Sequence, residues 1–144
     1  MRSLVSVCLL VVILCCGPAN ADDAASVTAA EQQAIEQVIT LQLDAFRRDA
    51  GDAAFSFASP KIRSMFGDAP HFMAMVRQGY PPVYRPRSHK FERLVTIEGR
   101  IVQRVIIIGP DGTAALALYT MEQEPDGTWR IDGCALTQPD GLTT

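Results

Sequence analysis

The sequence predicts an α+β domain, with N-terminal helices packed on a bent four-stranded antiparallel sheet. Three observations predict it. The last third, from about His89 to Gln138, breaks into four apolar or alternating runs, the strongest being Val105-Ile106-Ile107-Ile108 and Ala114 to Tyr119. Three tight turns separate these runs. Two of them share one chemistry, Gly109-Pro110-Asp111-Gly112 and Glu124-Pro125-Asp126-Gly127, in which Pro presets φ and Gly takes the positive φ that closes the bend. The stretch before them instead shows helical spacing with start and stop signals, so helices come first and the sheet follows.

Residues 1–21 read as a secretory signal peptide. Arg2 supplies the positive start, Leu4 to Leu14 the apolar run, and Ala19-Asn20-Ala21 a small-x-small cleavage site before Asp22. The run is too short for a permanent membrane span. Cys15 and Cys16 raise a lipoprotein alternative, disfavoured because Ile13 and Leu14 stand where a lipid-attachment site has small residues. Residues 22–144 then form one domain of roughly 120 residues, enough for a real core. The expected location is periplasmic or secreted, with no membrane association after cleavage.

The net charge of −3 becomes −4 once Arg2 is removed, since twelve basic residues then face sixteen acidic ones. An acidic balance argues against nucleic acid as a partner. Three of the four cysteines leave with the signal peptide, so no intramolecular disulfide can form and the core alone must stabilise the domain. The remaining Cys134, in a predicted strand, reads as a small buried hydrophobe.

Thr28-Ala29-Ala30-Glu31 is a capping box. The helix it opens carries Ile35, Val38, Ile39, Leu43 and Phe46 on one face, ends with Arg47 and Arg48 against its dipole, and stops near Gly51. Asp52 can cap a short helix over Ala53 to Ala58. Ser59-Pro60 starts another, with Ile62, Met65 and Phe66 as its apolar face and Gly67 as its end. Asp68-Ala69-Pro70 starts a third, in which Phe72, Met75 and Val76 share a face, stopping at Gly79. Three prolines then fall within Pro81 to Pro86 and predict an extended, polyproline-like segment.

In the first strand Phe91, Val95 and Ile97 are expected on one face and Leu94 on the other, with a two-residue hairpin at Glu98-Gly99. The second strand is apolar on both faces: Ile101, Val105 and Ile107 on one, Val102, Ile106 and Ile108 on the other. Such a strand is covered on both sides. One helical layer covers only one side, which is the ground for expecting a homodimer. Gly133 is expected to mark a bulge in the last strand.

The segment Phe72 to Ser88 (FMAMVRQGYPPVYRPRS), with Leu43-Asp44-Ala45-Phe46 and Trp129-Arg130-Ile131-Asp132-Gly133-Cys134, resembles an uncharacterised family of exported bacterial domains of unknown function. The resemblance covers nearly the whole mature chain and implies no assigned activity. The order of long helix, short helices and bent meander ending in Gly127-Thr128-Trp129-Arg130-Ile131 resembles the nuclear transport factor 2-like superfamily, a cystatin-like, SnoaL-like cone. That resemblance implies a pocket between the long helix and the concave sheet. It implies no particular chemistry, because the fold hosts isomerases, dehydratases, binding modules and assembly domains.

The candidate binding residues are Tyr80, Tyr84, Arg85 and Arg87, helped by Arg77 and Lys90. Between Arg77 and Arg104 seven Lys or Arg face two Glu, a local +5 in an acidic chain. Arg forks pair with carboxylate or phosphate and Tyr adds apolar area with a polar tip, so a small anionic ligand or an acidic patch on a protein partner fits. The competing reading makes the segment a rigid connector whose tyrosines pack on the core and whose arginines pair with the acidic helices. No catalytic residue is identified. A cofactor-free enzyme would need Asp44 or Asp132 as base, and neither His71 nor His89 has a carboxylate at a spacing that fixes geometry. The sequence calls for no metal and no cofactor. It therefore reads as an exported, non-catalytic module binding a small ligand or partner. The alternatives are an acid–base enzyme in the cone cavity or a structural assembly domain.

Overall fold

The computed structural model describes residues 26–139, so the proposed signal peptide, its cleavage site and Cys15 and Cys16 lie outside the described residues. Five helices precede four strands: α1 (Ala29–Arg47), α2 (Gly51–Ser56), α3 (Pro60–Phe66), α4 (Ala69–Gly79), α5 (Pro81–Tyr84), β1 (Ser88–Ile97), β2 (Arg100–Ile108), β3 (Ala114–Gln123) and β4 (Trp129–Thr137). The strands form one antiparallel sheet in the order β1-β2-β3-β4, which is not closed. The α+β class is as the sequence predicts, and the arrangement is consistent with the nuclear transport factor 2-like cone.

The local signals hold at most positions. The Glu31 carboxylate accepts from the Thr28 backbone N–H at 2.8 Å, and the Thr28 hydroxyl accepts from the Glu31 N–H at 3.2 Å. Glu98 and Gly99 both have positive φ, 50° and 75°, as a two-residue hairpin with right-handed twist requires. The two Pro-Asp-Gly turns are superimposable in their bonding. Gly109 N–H bonds the Thr113 carbonyl at 2.9 Å and Glu124 N–H the Thr128 carbonyl at 2.8 Å. In each, the Asp side chain accepts from the N–H two residues on, at 2.9 Å.

Four expectations are corrected. The chain leaves α1 at Asp49, which takes φ 52°, and Gly51 is already inside α2. Gly51 serves close packing instead: a Cβ there would come 3.0 Å from Met73 Cγ. Met65 is 63% exposed and does not join the core. The proline segment is not extended, because Pro81 and Pro82 occupy the first positions of one helical turn, where no N–H is needed. In β1 a bulge between Phe91 and Leu94 shifts the alternation, so Phe91 faces Val105 and Leu94 faces Gln103, both packing on the core, while Ile97 is exposed.

The core lies between the helices and one sheet face. Ile35, Ile39, Leu43 and Phe46 of α1 meet Val105, Ile107, Ala117 and Tyr119. Phe72 of α4 gathers Phe46, Phe55 and Phe66 at ring separations of 6.1, 5.3 and 5.7 Å. The α2–α3 connection is part of the sheet: Ser59 N–H bonds the Ile131 carbonyl at 2.8 Å and Ile131 N–H bonds the Phe57 carbonyl at 2.9 Å, forming a short parallel bridge on the free edge of β4. Thr120 pairs with Gly133 and Met121 with Ile131, so Asp132 is the extra residue of a bulge beside Gly133. On the opposite face Val102 and Leu116 are buried outside the core cluster, and Ile106, Ile108 and Leu118 are half-buried.

Candidate functional site

The sequence candidates do not converge. Tyr84, Arg85 and Arg77 join Asp49 at the C-terminal end of α1. The Tyr84 hydroxyl donates to Asp49 Oδ1, and the Arg85 guanidinium bonds Asp49 Oδ2 at 2.7 Å and the Phe46 carbonyl in the last turn of α1. Arg77 Nε donates to the Tyr84 oxygen at 3.3 Å, and both guanidinium groups lie over the Tyr84 ring, at 4.0 Å for Arg85 and 5.6 Å for Arg77. The Tyr84 hydroxyl and then Arg85 hold the Asp49 carboxyl below its ordinary range. Asp49 thus occupies Arg85 and the Tyr84 hydroxyl, the Tyr84 oxygen takes Arg77, and the group works as a clamp between α1, α4 and α5. Arg87 goes elsewhere: its guanidinium reaches the β2–β3 turn, 3.6 Å from where a Cβ on Gly112 would stand.

Tyr80 alone turns inward. It lines a cavity of about 60 Å³ between α1, α4, α5 and the sheet. Phe46, Ile62 of α3, Phe72, Val76 and Val83 supply much of its apolar wall, and Gln42, Tyr80, Tyr119 and Cys134 bring the side-chain polar atoms. The sheet register assembles this polar end. Gln103, Tyr119 and Cys134 are successive partners across β2, β3 and β4, all on the core face. Gln42 lies above, on the buried stripe of α1, and donates to the Ala54 carbonyl at 3.1 Å. The Tyr80 hydroxyl donates to the Cys134 carbonyl at 3.0 Å.

The Tyr119 side chain is enclosed, with 1% of its surface exposed; its hydroxyl meets the Cys134 thiol and no oxygen or nitrogen partner among the described residues, and the Oε1 of Gln103, its cross-strand neighbour, is likewise unpartnered. The thiol is a weak hydrogen-bonding group. Burial raises the Tyr119 phenol well above its usual value and pushes the Cys134 thiol up to about 12, so both stay protonated at neutral pH. Cys134 is therefore not a nucleophile. An unpartnered polar group in a dry wall carries a desolvation cost that a ligand or water could relieve.

The carboxylates considered as bases lie outside this cavity. Asp44 is on the surface, bonded to Arg47 at 2.7 Å. Asp132 accepts from the buried Ser59 hydroxyl at 2.6 Å, pairs with Arg100, and lies 3.6 Å from Lys61. Desolvation pushes its carboxyl up, but the Ser59 hydroxyl and the two cations outweigh this and hold it below the usual range. It is a staple between α3, β2 and the β4 bulge. Of the histidines, His71 does meet a carboxylate, Asp68 at 2.8 Å, because the residue three places into α4 lies over its cap. The pair is exposed. His89 packs edge-on against Phe91, and burial, then Arg47, lower its pKa.

Two members of the polar end escape the sequence reading. Gln42 interrupts the α1 stripe three residues after Ile39 and four before Phe46. Tyr119 opposite Gln103 follows from counting outward from the Gly109–Gly112 turn. No helix among the described residues is long and apolar enough to cross a membrane.

These features define an open antiparallel sheet carrying helices on one face, with a small cavity between the two layers. The chain belongs to the family described as domain of unknown function DUF4864, whose profile matches residues 28–144. No curated protein and no solved structure matches it.

Proposed function

We propose that this chain is a non-catalytic binding module that takes a small amphipathic ligand into the cavity between α1, α4, α5 and the sheet. The observation that carries this reading is Tyr119, which lines an otherwise apolar cavity and whose buried hydroxyl has only the Cys134 thiol beside it and no oxygen or nitrogen partner among the described residues. Ligand sites combine apolar walls with a few placed polar groups, and this cavity has that composition. Tyr80 and Val83 bring the proline segment into the wall, while Tyr84, Arg85 and Arg77 hold that segment in place. The nuclear transport factor 2-like character belongs to the same proposal, as does export through residues 1–21.

The test is native mass spectrometry of the mature protein, secreted by its own host and purified gently. A reproducible extra mass that is absent from a variant with a filled cavity, Ile62→Trp, supports the reading. A clean apo spectrum from both proteins counts against a retained ligand.

A homodimer through the outer sheet face belongs to the same proposal. It is favoured by Ile106, Ile108 and Leu118, which stand only half-buried beside Val102 and Leu116. The same spectra give the mass of the assembly. A wild-type dimer that becomes a monomer on Ile106→Lys supports it, and a wild-type monomer removes it.

A further inference from the structure

We infer that the cavity selects an uncharged ligand bearing one hydrogen-bond acceptor, a carbonyl or ether oxygen received by the Tyr119 hydroxyl, and that it rejects carboxylates and phosphates. This rests on the cavity being the ligand site.

The charge of the lining decides the first half. Among the described residues, no Lys, Arg, Asp or Glu lines the cavity. The nearest arginines by sequence are already committed, Arg85 to Asp49 and the Phe46 carbonyl, Arg77 to Tyr84. An anion entering would lose its hydration with no cation to meet it, a cost that excludes binding unless the group is neutralised. The local +5 of the Arg77–Arg104 stretch therefore does not reach the ligand.

The donor inventory decides the second half. The Gln42 amide gives one of its two N–H groups to the Ala54 carbonyl, and the Tyr80 hydroxyl donates to the Cys134 carbonyl. The Cys134 thiol is a weak donor. Among the described residues that leaves the Tyr119 O–H, a buried hydroxyl with only a thiol beside it, and the second N–H of Gln42. Burial keeps this phenol protonated, so it offers a hydrogen to an acceptor. A volume of about 60 Å³ exceeds the about 10–15 Å³ that one water needs. Phe46 and Phe72 in the wall suit a compact ring or short chain.

Three proteins test this: the wild type, Tyr119→Phe and the cavity-filled Ile62→Trp. Each is titrated with cyclohexanone and with cyclohexanecarboxylate by ligand-observed NMR, and circular dichroism checks the fold. The expected result is that cyclohexanone binds the wild type, binds Tyr119→Phe about 3- to 10-fold more weakly, and does not bind Ile62→Trp. Cyclohexanecarboxylate should bind none of them at neutral pH. Equal ketone binding by wild type and Tyr119→Phe, or carboxylate binding at least as tight as ketone binding, overturns the inference while leaving the cavity as the ligand site. Ketone binding that survives in Ile62→Trp, or no binding of either probe to the wild type, overturns the cavity reading and the inference with it. A misfolded Tyr119→Phe leaves the ketone–carboxylate comparison on the wild type to decide.

Discussion

Two kinds of polar cluster sit against the same core, and they behave oppositely. Around Asp49 and around Asp132 each carboxylate oxygen meets a hydroxyl or a cation, and the surrounding donors are occupied. In the cavity wall, Tyr119 is deeper than the Asp49 group and yet, among the described residues, its hydroxyl has only the Cys134 thiol beside it and no oxygen or nitrogen partner. A closed cluster has spent its bonding capacity on holding elements together. An open one keeps a bond in reserve. The residues that most resemble a binding site in the sequence, Tyr84, Arg85 and Arg77, turn out to be the closed kind, and capacity is left on Tyr119 in the middle of a strand and on its cross-strand partner Gln103.

The comparison breaks if removing a closed contact costs nothing. The largest effect is expected for Asp132→Ala. It strips the buried Ser59 hydroxyl of its acceptor, whereas Arg100 and Lys61, 45% and 62% exposed, rehydrate. A loss of about 2 kcal/mol in urea unfolding follows from leaving one buried donor unpaired. Arg85→Ala comes next, at about 1 kcal/mol, because a charge-assisted bond is worth more than a neutral one but this side chain is a third exposed. A loss within error at Arg85 would return it to the list of free binding groups.

Acid titration sharpens the same contrast. The Asp132 and Asp49 carboxyls lie below 3.8 in the folded state. Their contribution is present in full above about pH 4 and is lost as pH falls through the folded values. His89, lowered from 6.5 by burial, adds a separate decline as pH falls below 6.5, since the unfolded chain takes up that proton first. Thermal unfolding between pH 7 and 2 should show both declines, and Asp132→Ala should flatten the acidic one. The smallest effect has the opposite sign. Tyr119→Phe in ligand-free protein should leave stability unchanged or raise it by up to about 1 kcal/mol, because it deletes an unpartnered hydroxyl. A clear loss in that variant would mean the hydroxyl has a partner after all.

Local chemistry was readable from the sequence and register-dependent chemistry was not. The capping box at Thr28, the Ser59 and Asp68 caps and all three hairpin turns depend on residues within a few positions of each other. The parity of β1 went wrong because a bulge between Phe91 and Leu94 adds a residue that no local signal marks. The proline segment misled because Pro at the start of a helical turn is as favourable as Pro in extended chain, and only the packing of Val83 into the core decides. The clamp at Asp49 joins residues thirty-five and thirty-six positions apart. The inner polar end needs one helix and three strands in register before Gln42, Gln103, Tyr119 and Cys134 become neighbours.

The short parallel bridge at Ala58 and Ile131 bears on edge-to-edge growth of the sheet. Runaway strand-to-strand growth needs two bare margins, one to give and one to receive. Here the helical layer lends its own connection to one margin, and the other carries the irregularity between Phe91 and Leu94. A stack begun at either side meets a stop at the next molecule. The homodimer proposed through the outer sheet face needs neither margin.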